Sequence, residues 1–189
     1  MVLKFVIVGD KSVGKFTLRN RFLGFGTGSY YLMTIGVEYG IKEIVHQEEP
    51  FAGSNTYAQV WLITSQERFA SIRPLYYQNS QMALLVYDVT VPQSLENIVN
   101  WIKEIQASVG IIPVVLIGNK IDLRKNVPNS VTTAIGSKFA KRIKRELLND
   151  AFEVPFVETS AITGEVIPTD GILVTIKGEV VTSFYLFDS

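Results

Sequence analysis

The stretch Gly9-Asp10-Lys11-Ser12-Val13-Gly14-Lys15-Phe16-Thr17 has the residue types and spacing to hold phosphate. It follows the largely apolar run Leu3 to Val8 and opens a helix-like segment from Lys15 to Phe22. A glycine-rich turn between strand and helix lets consecutive backbone N–H groups converge on phosphate oxygens, and the helix N-terminus adds positive potential. Lys15 stands where a lysine reaches the outer phosphates. The full pattern asks next for Ser or Thr, whose hydroxyl holds magnesium. Phe16 occupies that position. The phosphate half of the pattern is present and the metal half is broken.

A second stretch, Gly118-Asn119-Lys120-Ile121-Asp122, lies directly after the apolar run Pro113 to Ile117, and Glu158-Thr159-Ser160-Ala161 follows a later strand-like run. By itself Asn-Lys-x-Asp is as consistent with a helix cap or turn as with a binding site. In this order and context the three stretches resemble the guanine-nucleotide-binding small GTPases. The match has a chemical basis. The Asp122 carboxylate can accept from the N1–H and N2–H₂ edge of guanine, which adenine does not offer. The Asn119 amide can donate to N7, the Lys120 stem can cover the base, and the Ala161 N–H can meet O6. A site whose polar groups need particular partners strongly rejects bases that lack them.

Within that superfamily the chain resembles the Rab branch from about Leu3 to Gly164. Thr34-Ile35-Gly36-Val37-Glu38-Tyr39 is similar to the first switch, and Trp61 with Gln66-Glu67-Arg68-Phe69 to the second. Tyr76-Tyr77, Leu85 to Thr90, Ser94-Leu95-Glu96-Asn97 and Trp101 follow in the family's order. The resemblance implies an α/β three-layer P-loop GTPase fold, with a mostly parallel six-stranded sheet and about five helices. It implies GTP/GDP binding, and switch loops that recruit effectors when the γ-phosphate is present. The nucleotide contacts it implies are Asp10, Lys11, Ser12, Val13, Gly14, Lys15, Phe16, Thr17, Thr34, Ser65, Asn119, Lys120, Asp122, Ser160 and Ala161. Thr34 would also contact magnesium, and Gln66 would orient the attacking water as the catalytic residue. Ile35, Trp61, Phe69 and Tyr76 would form an effector-facing apolar surface.

The departures from the family pattern carry as much information. Leu62 stands where an Asp helps hold magnesium, and the following Thr-Ala-Gly reads Ile63-Thr64-Ser65. The missing glycine normally lets the backbone approach the γ-phosphate, and Ser65 carries a Cβ there. Thr17 does not simply replace the hydroxyl lost at Phe16, because the next helical residue points about 100° away. The aromatic that covers the base falls at Thr27, with Phe25 two residues early. Magnesium needs near-octahedral oxygen coordination, which two hydrocarbon side chains do not supply. The expectation is a Rab-type switch of vesicle traffic that binds guanine nucleotide with weak magnesium dependence and hydrolyses it slowly or not at all. The alternative is a pseudo-GTPase, a binding platform with Phe16 and Leu62 as ordinary core. A small-molecule kinase on the same loop would leave Asn119-Lys120-x-Asp122 unexplained.

The elements that must position these residues alternate between strand-like and helix-like runs, which predicts a parallel sheet covered on both faces. Val37 to Val45 and Thr56 to Ile63 read as a hairpin around the polar loop Gln47 to Asn55. Met82 to Tyr87 and Pro113 to Ile117 read as fully buried strands, and Glu153 to Val157 as a last short one. Leu95, Ile98, Val99, Ile102 and Ile105 recur at helical spacing, as do Ile135, Phe139, Ile143 and Leu147. The latter helix carries Lys138, Lys141, Arg142, Lys144 and Arg145, read as a solvated face before a docking patch. After Gly164 the β-branched residues disfavour a helix, yet Leu173, Ile176, Val180 and Phe184 share a helical face, and the segment is predicted helical.

The 189 residues fit one domain, 1–189, with a sizeable core. Lys+Arg and Asp+Glu number 18 each, so nothing electrostatic favours nucleic acid. There is no cysteine, hence no disulfide or thiol lipidation, and membrane anchoring finds no support in the chain. The family's cysteine-bearing tail has no counterpart in Tyr185 to Ser189, so either a tail has been removed or the protein is not prenylated. No apolar run reaches about 18 residues and no signal-peptide pattern opens the chain, which makes a cytoplasmic monomer the expectation. His46, the one histidine, lies near a strand end and is read as structural.

Overall fold

The computed structural model describes residues 2–25, 36–45, 55–168, 173–176 and 179–182. Seven strands form one sheet: β1 (Val2–Val8), β2 (Val37–Val45), β3 (Asn55–Ile63), β4 (Met82–Asp88), β5 (Val114–Asn119), β6 (Phe156–Thr159) and β7 (Val166–Pro168). Their spatial order is β2-β3-β1-β4-β5-β6-β7. Strand β1 runs parallel to β3 and β4, and β4, β5 and β6 continue parallel, while β2 and β7 pair antiparallel with β3 and β6. The six strands expected of the fold are therefore present, and β7 adds a seventh at the edge. The described α-helices are α1 (Lys15–Phe22), α2 (Arg73–Tyr77), α3 (Pro92–Glu96), α4 (Ile98–Val109) and α5 (Thr133–Arg142), the last continued by a π-helical turn over Ile143–Leu147.

Alternation along the strands decides which face each residue covers. Val6, Val8, Leu85, Tyr87 and Leu116 pack with Ile98, Ile102 and Ile105 of α4 and Phe139 of α5. Phe5, Ile7, Leu84, Val86, Val115 and Ile117 pack on the opposite face with Leu18 and Phe22 of α1. Strands β4 and β5 are buried along their whole length, as continuous apolar runs require. The loops that leave the C-terminal ends of β1, β4, β5 and β6 converge on one rim, where open α/β sheets bind ligands.

Three details differ from the sequence reading. The predicted helix after Gly164 is instead strand, in β7 and in a separate antiparallel pair, β8 (Leu173–Ile176) with β9 (Glu179–Thr182). The β-branched composition, which favours strand, prevails over the helical spacing. Phe184, used in that prediction, lies outside the described residues. The last parallel strand is Phe156–Thr159, not Glu153 to Val157. Pro155 has no N–H for the ladder, although its carbonyl accepts from Leu116 N at 2.9 Å. The helical run around Leu95 to Ile105 divides at Asn97 into α3 and α4. Of the expected loop Gln47 to Asn55, Asn55 opens β3, and the rest lies outside the described residues, as does His46.

Candidate functional site

Strand β1 ends at Val8, and the chain turns through Gly9 to Gly14 into α1 at Lys15. Both glycines are required by space. A Cβ on Gly9 would come within 2.1 Å of the Val86 carbonyl oxygen, and one on Gly14 within 2.2 Å of Asn119 Nδ2. Helix α1 has no side-chain cap and no acid in its first turn, so the positive potential of its N-terminus is not offset there. Lys15 is buried. Its Nζ donates to the carbonyls of Gly9 at 2.7 Å and Asp10 at 2.6 Å. Burial lowers its pKa to about 8, with the Asp10 carboxylate pulling the other way.

Asp10 itself serves the scaffold. Its carboxylate accepts from Asn97 Nδ2 at 2.7 Å and Trp101 Nε1 at 2.9 Å, which fastens the loop to the start of α4. Val13 is a core residue. The Asn119 amide joins three segments: Nδ2 donates to the Val13 carbonyl at 2.8 Å, and Oδ1 accepts from Thr159 Oγ1 and Ala161 N, each at 3.1 Å. In this state the Ala161 N–H is committed to Asn119. Ser160 is buried, and its hydroxyl accepts from Thr163 N at 3.1 Å. Lys120 has a left-handed backbone, and its Nζ lies 2.6 Å from Asp88 Oδ2. Half-buried Asp122 sits in the 3₁₀ turn Ile121–Asn126 and takes no hydrogen bond or ion pair from the described residues.

A cleft of about 650 Å³ opens beside the loop. Of the residues singled out in the sequence, Lys11, Ser12, Gly14, Lys15, Phe16, Thr17, Ser65, Gln66 and Lys120 line it, joined by Leu62, Thr64 and Arg68. Asp10, Val13, Asn119, Asp122, Ser160 and Ala161 are not among the lining residues. Thr34, Ile35 and Thr27 lie outside the described residues. Phe16 and buried Leu62 present hydrocarbon where a divalent ion would need oxygen. No carboxylate lines the cleft among the described residues, and none of their acidic or histidine side chains cluster in a metal-binding set. Among the described residues the oxygen donors lining the cleft are neutral, those of Ser12, Thr17, Thr64, Ser65 and Gln66, a poor set for magnesium without a carboxylate.

The wall opposite the phosphate loop is the segment after β3. Gln66 N donates to Thr64 Oγ1 at 3.2 Å, and Gln66 Oε1 accepts from Arg68 Nε at 2.9 Å. Arg73 braces this segment through the Gln66 carbonyl at 3.4 Å, and pairs bidentately with Glu104 at 2.7 Å for both contacts. Outside the cleft, Tyr39 stacks on Trp61 with centroids 5.3 Å apart, and Tyr76 lies 6.4 Å beyond. Lys4 Nζ sits 4.3 Å from the Trp61 ring. Tyr39 thus joins the expected Trp61 and Tyr76, while the Phe69 ring lies under Arg68.

Sequence reasoning quoted Asp88, Arg68, Asn97 and Trp101 within motifs but gave none of them a role in the site. Asp88 had a legible signal: it ends a buried strand and stands in register with Asn119. It likewise gave no role to the buried Glu158 carboxylate, held by Arg124 Nη1 at 3.1 Å and Thr133 Oγ1 at 2.8 Å just before the Ser160–Ala161 turn.

Comparison with known proteins matches residues 4–174 to the model of the Ras family. The chain is 36% identical over 165 residues to Ras-related protein Rab-4 of Dictyostelium discoideum, covering 87% of this chain and 73% of that protein. It is 31% identical over 195 residues to Ras-related protein Rab7 of Drosophila melanogaster, covering 97% and 86%. It is 35% identical over 162 residues to Ras-related protein Rab-13 of Rattus norvegicus, covering 85% and 71%.

Proposed function

This chain belongs to the Ras family and is Rab-type within it, and we propose that it is a single-domain guanine-nucleotide-binding protein whose nucleotide site works with little or no magnesium. One observation carries the reading: the phosphate loop and α1 N-terminus are open to an anion, while Phe16 and Leu62 fill the place of the metal donors. In this reading Lys15 leaves the Gly9 and Asp10 carbonyls for the outer phosphates. The Asp122 carboxylate reads the N1–H and N2–H₂ edge of guanine, and the Lys120 stem covers the base. The Asn119 Nδ2 keeps one hydrogen for N7 beyond the one given to Val13.

Hydrolysis is slow in this reading. Phosphoryl transfer depends on positioning and charge stabilisation, and a bound divalent ion supplies much of the latter. Gln66, the residue that would orient water, has its side-chain oxygen engaged by Arg68. Switching and vesicle traffic then run through cytoplasmic partner proteins that meet the aromatic face of Tyr39, Trp61 and Tyr76. The experiment is a GTP and GDP titration by calorimetry, with magnesium and with a chelator. Micromolar or tighter binding in both conditions is expected.

A second reading has its own observation. Several groups that would touch nucleotide are satisfied within the protein: Ala161 N–H by Asn119, Lys15 by two carbonyls and Lys120 by Asp88. A fold that meets its own polar needs can serve as a platform without a nucleotide cycle. Protein that purifies empty and ignores added GTP and GDP selects this reading.

A further inference from the structure

We propose that Arg68 takes over the charge-balancing task of the divalent ion, gripping the terminal phosphate of a nucleoside triphosphate held in the cleft. The inference rests on the nucleotide reading above and names the group that makes such binding possible without a metal.

A triphosphate carries several negative charges, and removing them from water without compensation is prohibitive. Four cationic side chains line the cleft: Lys11, Lys15, Arg68 and Lys120. Three come from the side of the phosphate loop and β5. Lys120 is already paired with Asp88 at 2.6 Å, and Lys15 is the loop's own phosphate lysine. Arg68 is the cation on the opposite wall, three residues beyond Ser65 and six beyond Leu62 in sequence. It therefore stands on the same stretch of chain as Leu62, one of the two positions that carry hydrocarbon in place of a metal donor.

Its geometry suits the task. The Nε–H donates to Gln66 Oε1 at 2.9 Å, and the guanidinium carbon lies 4.7 Å from the centre of the Phe69 ring. An amide on one edge and an aromatic ring on one face hold the guanidinium plane. Its two Nη groups make no hydrogen bond to the described residues. A planar fork of N–H donors matches a pair of phosphate oxygens better than a point charge does. No acidic side chain lines the cleft to compete for it among the described residues. The contact that orients Arg68 takes up one of the two acceptor positions of Gln66 Oε1.

The position of Arg68 at the Ser65–Gln66 end of the cleft makes its effect specific to the third phosphate. The test is calorimetry with GTP and with GDP, in chelator, on wild-type protein, Arg68→Gln and Arg68→Lys. Arg68 is exposed, so neither change threatens the fold. Arg68→Gln is expected to weaken GTP roughly tenfold or more while moving GDP by less than about twofold, and Arg68→Lys to recover part of the loss. Equal effects on both nucleotides, or none on either, overturn the assignment to Arg68 and leave the nucleotide reading standing. Wild-type protein that binds neither nucleotide, with or without magnesium, overturns both.

Discussion

Asn119 Nδ2 donates to the Val13 carbonyl at 2.8 Å across a sequence separation of 106 residues. That bond ties the end of β5 to the phosphate loop, and the same amide takes the N–H of Ala161 and the hydroxyl of Thr159. Base corner and phosphate cradle are therefore one mechanical unit.

Replacing Asn119 by Ala leaves a buried carbonyl, a buried N–H and a buried hydroxyl without this partner. Each orphaned group costs about 1–3 kcal/mol, so a loss of roughly 3 kcal/mol or more is expected in urea unfolding. Asn119→Asp keeps an acceptor but sets a buried carboxylate against the Val13 carbonyl, and should lose at least as much stability as Asn119→Ala. Equal stability of all three would show that the tie contributes nothing.

Lys15 titrates near pH 8 in the folded protein against 10.5 for the free side chain, with burial as the main cause. Between about 8 and 10.5 the unfolded chain holds more protons at this site, so Lys15 makes stability rise with pH across that window. Ligand binding has the opposite sign. A bound phosphate favours the charged amine, so nucleotide affinity should decline as pH rises above about 8, by up to about tenfold per unit. Lys15→Met should bind weakly and lose this slope. A slope that persists in the variant assigns the titration to another group.

Asp122 is the one carboxylate proposed to face the base. Asp122→Ala should weaken GTP and GDP by roughly a hundredfold while leaving the poor affinity for ATP unchanged, because adenine never used that acceptor. Competition between the two bases measures it directly. A parallel loss for ATP would mean that Asp122 acts only on the fold.

Phe16→Ser with Leu62→Asp returns two oxygen ligands to the cleft. The double variant should bind GTP about tenfold or more tightly when millimolar magnesium is added, a response that wild-type protein lacks. Leu62 is only 3% exposed, so the Asp costs stability, and Phe16→Ser alone gives a smaller response in the same direction. Magnesium insensitivity of both variants would remove hydrocarbon substitution as the explanation.

Much of this molecule could be read before its structure. The helix from Lys15 to Phe22 has the boundaries expected of it, because Gly14 stops the loop and Lys15 begins an unbroken run of helix-compatible residues. Strands β4 and β5 declared themselves as short apolar runs. Local pattern served less well where it was ambiguous. After Gly164 the same valines and isoleucines satisfy both a period of two and a helical stripe, and composition settled the matter as strand. In the site, the loops and their order were legible, but the partners of individual atoms were not. Nothing in the spacing tells that Asp10 turns to Asn97 and Trp101, or that Lys120 finds Asp88, since both depend on how α4 and β4 approach the loops. Arg68 was quoted only as part of a motif. Its place on the cleft wall follows from the turn Glu67–Phe69, which no periodicity reports.

The chain has two tryptophans, and the fold has put them at two separate places. The Trp101 indole N–H rests on Asp10 under the phosphate loop, while Trp61 lies between Tyr39 and Tyr76 on the outer strands. On the proposed function, intrinsic fluorescence follows ligand arrival through one indole and partner docking through the other. Trp101→Phe and Trp61→Phe, made separately, would split the emission into two channels with no dye attached.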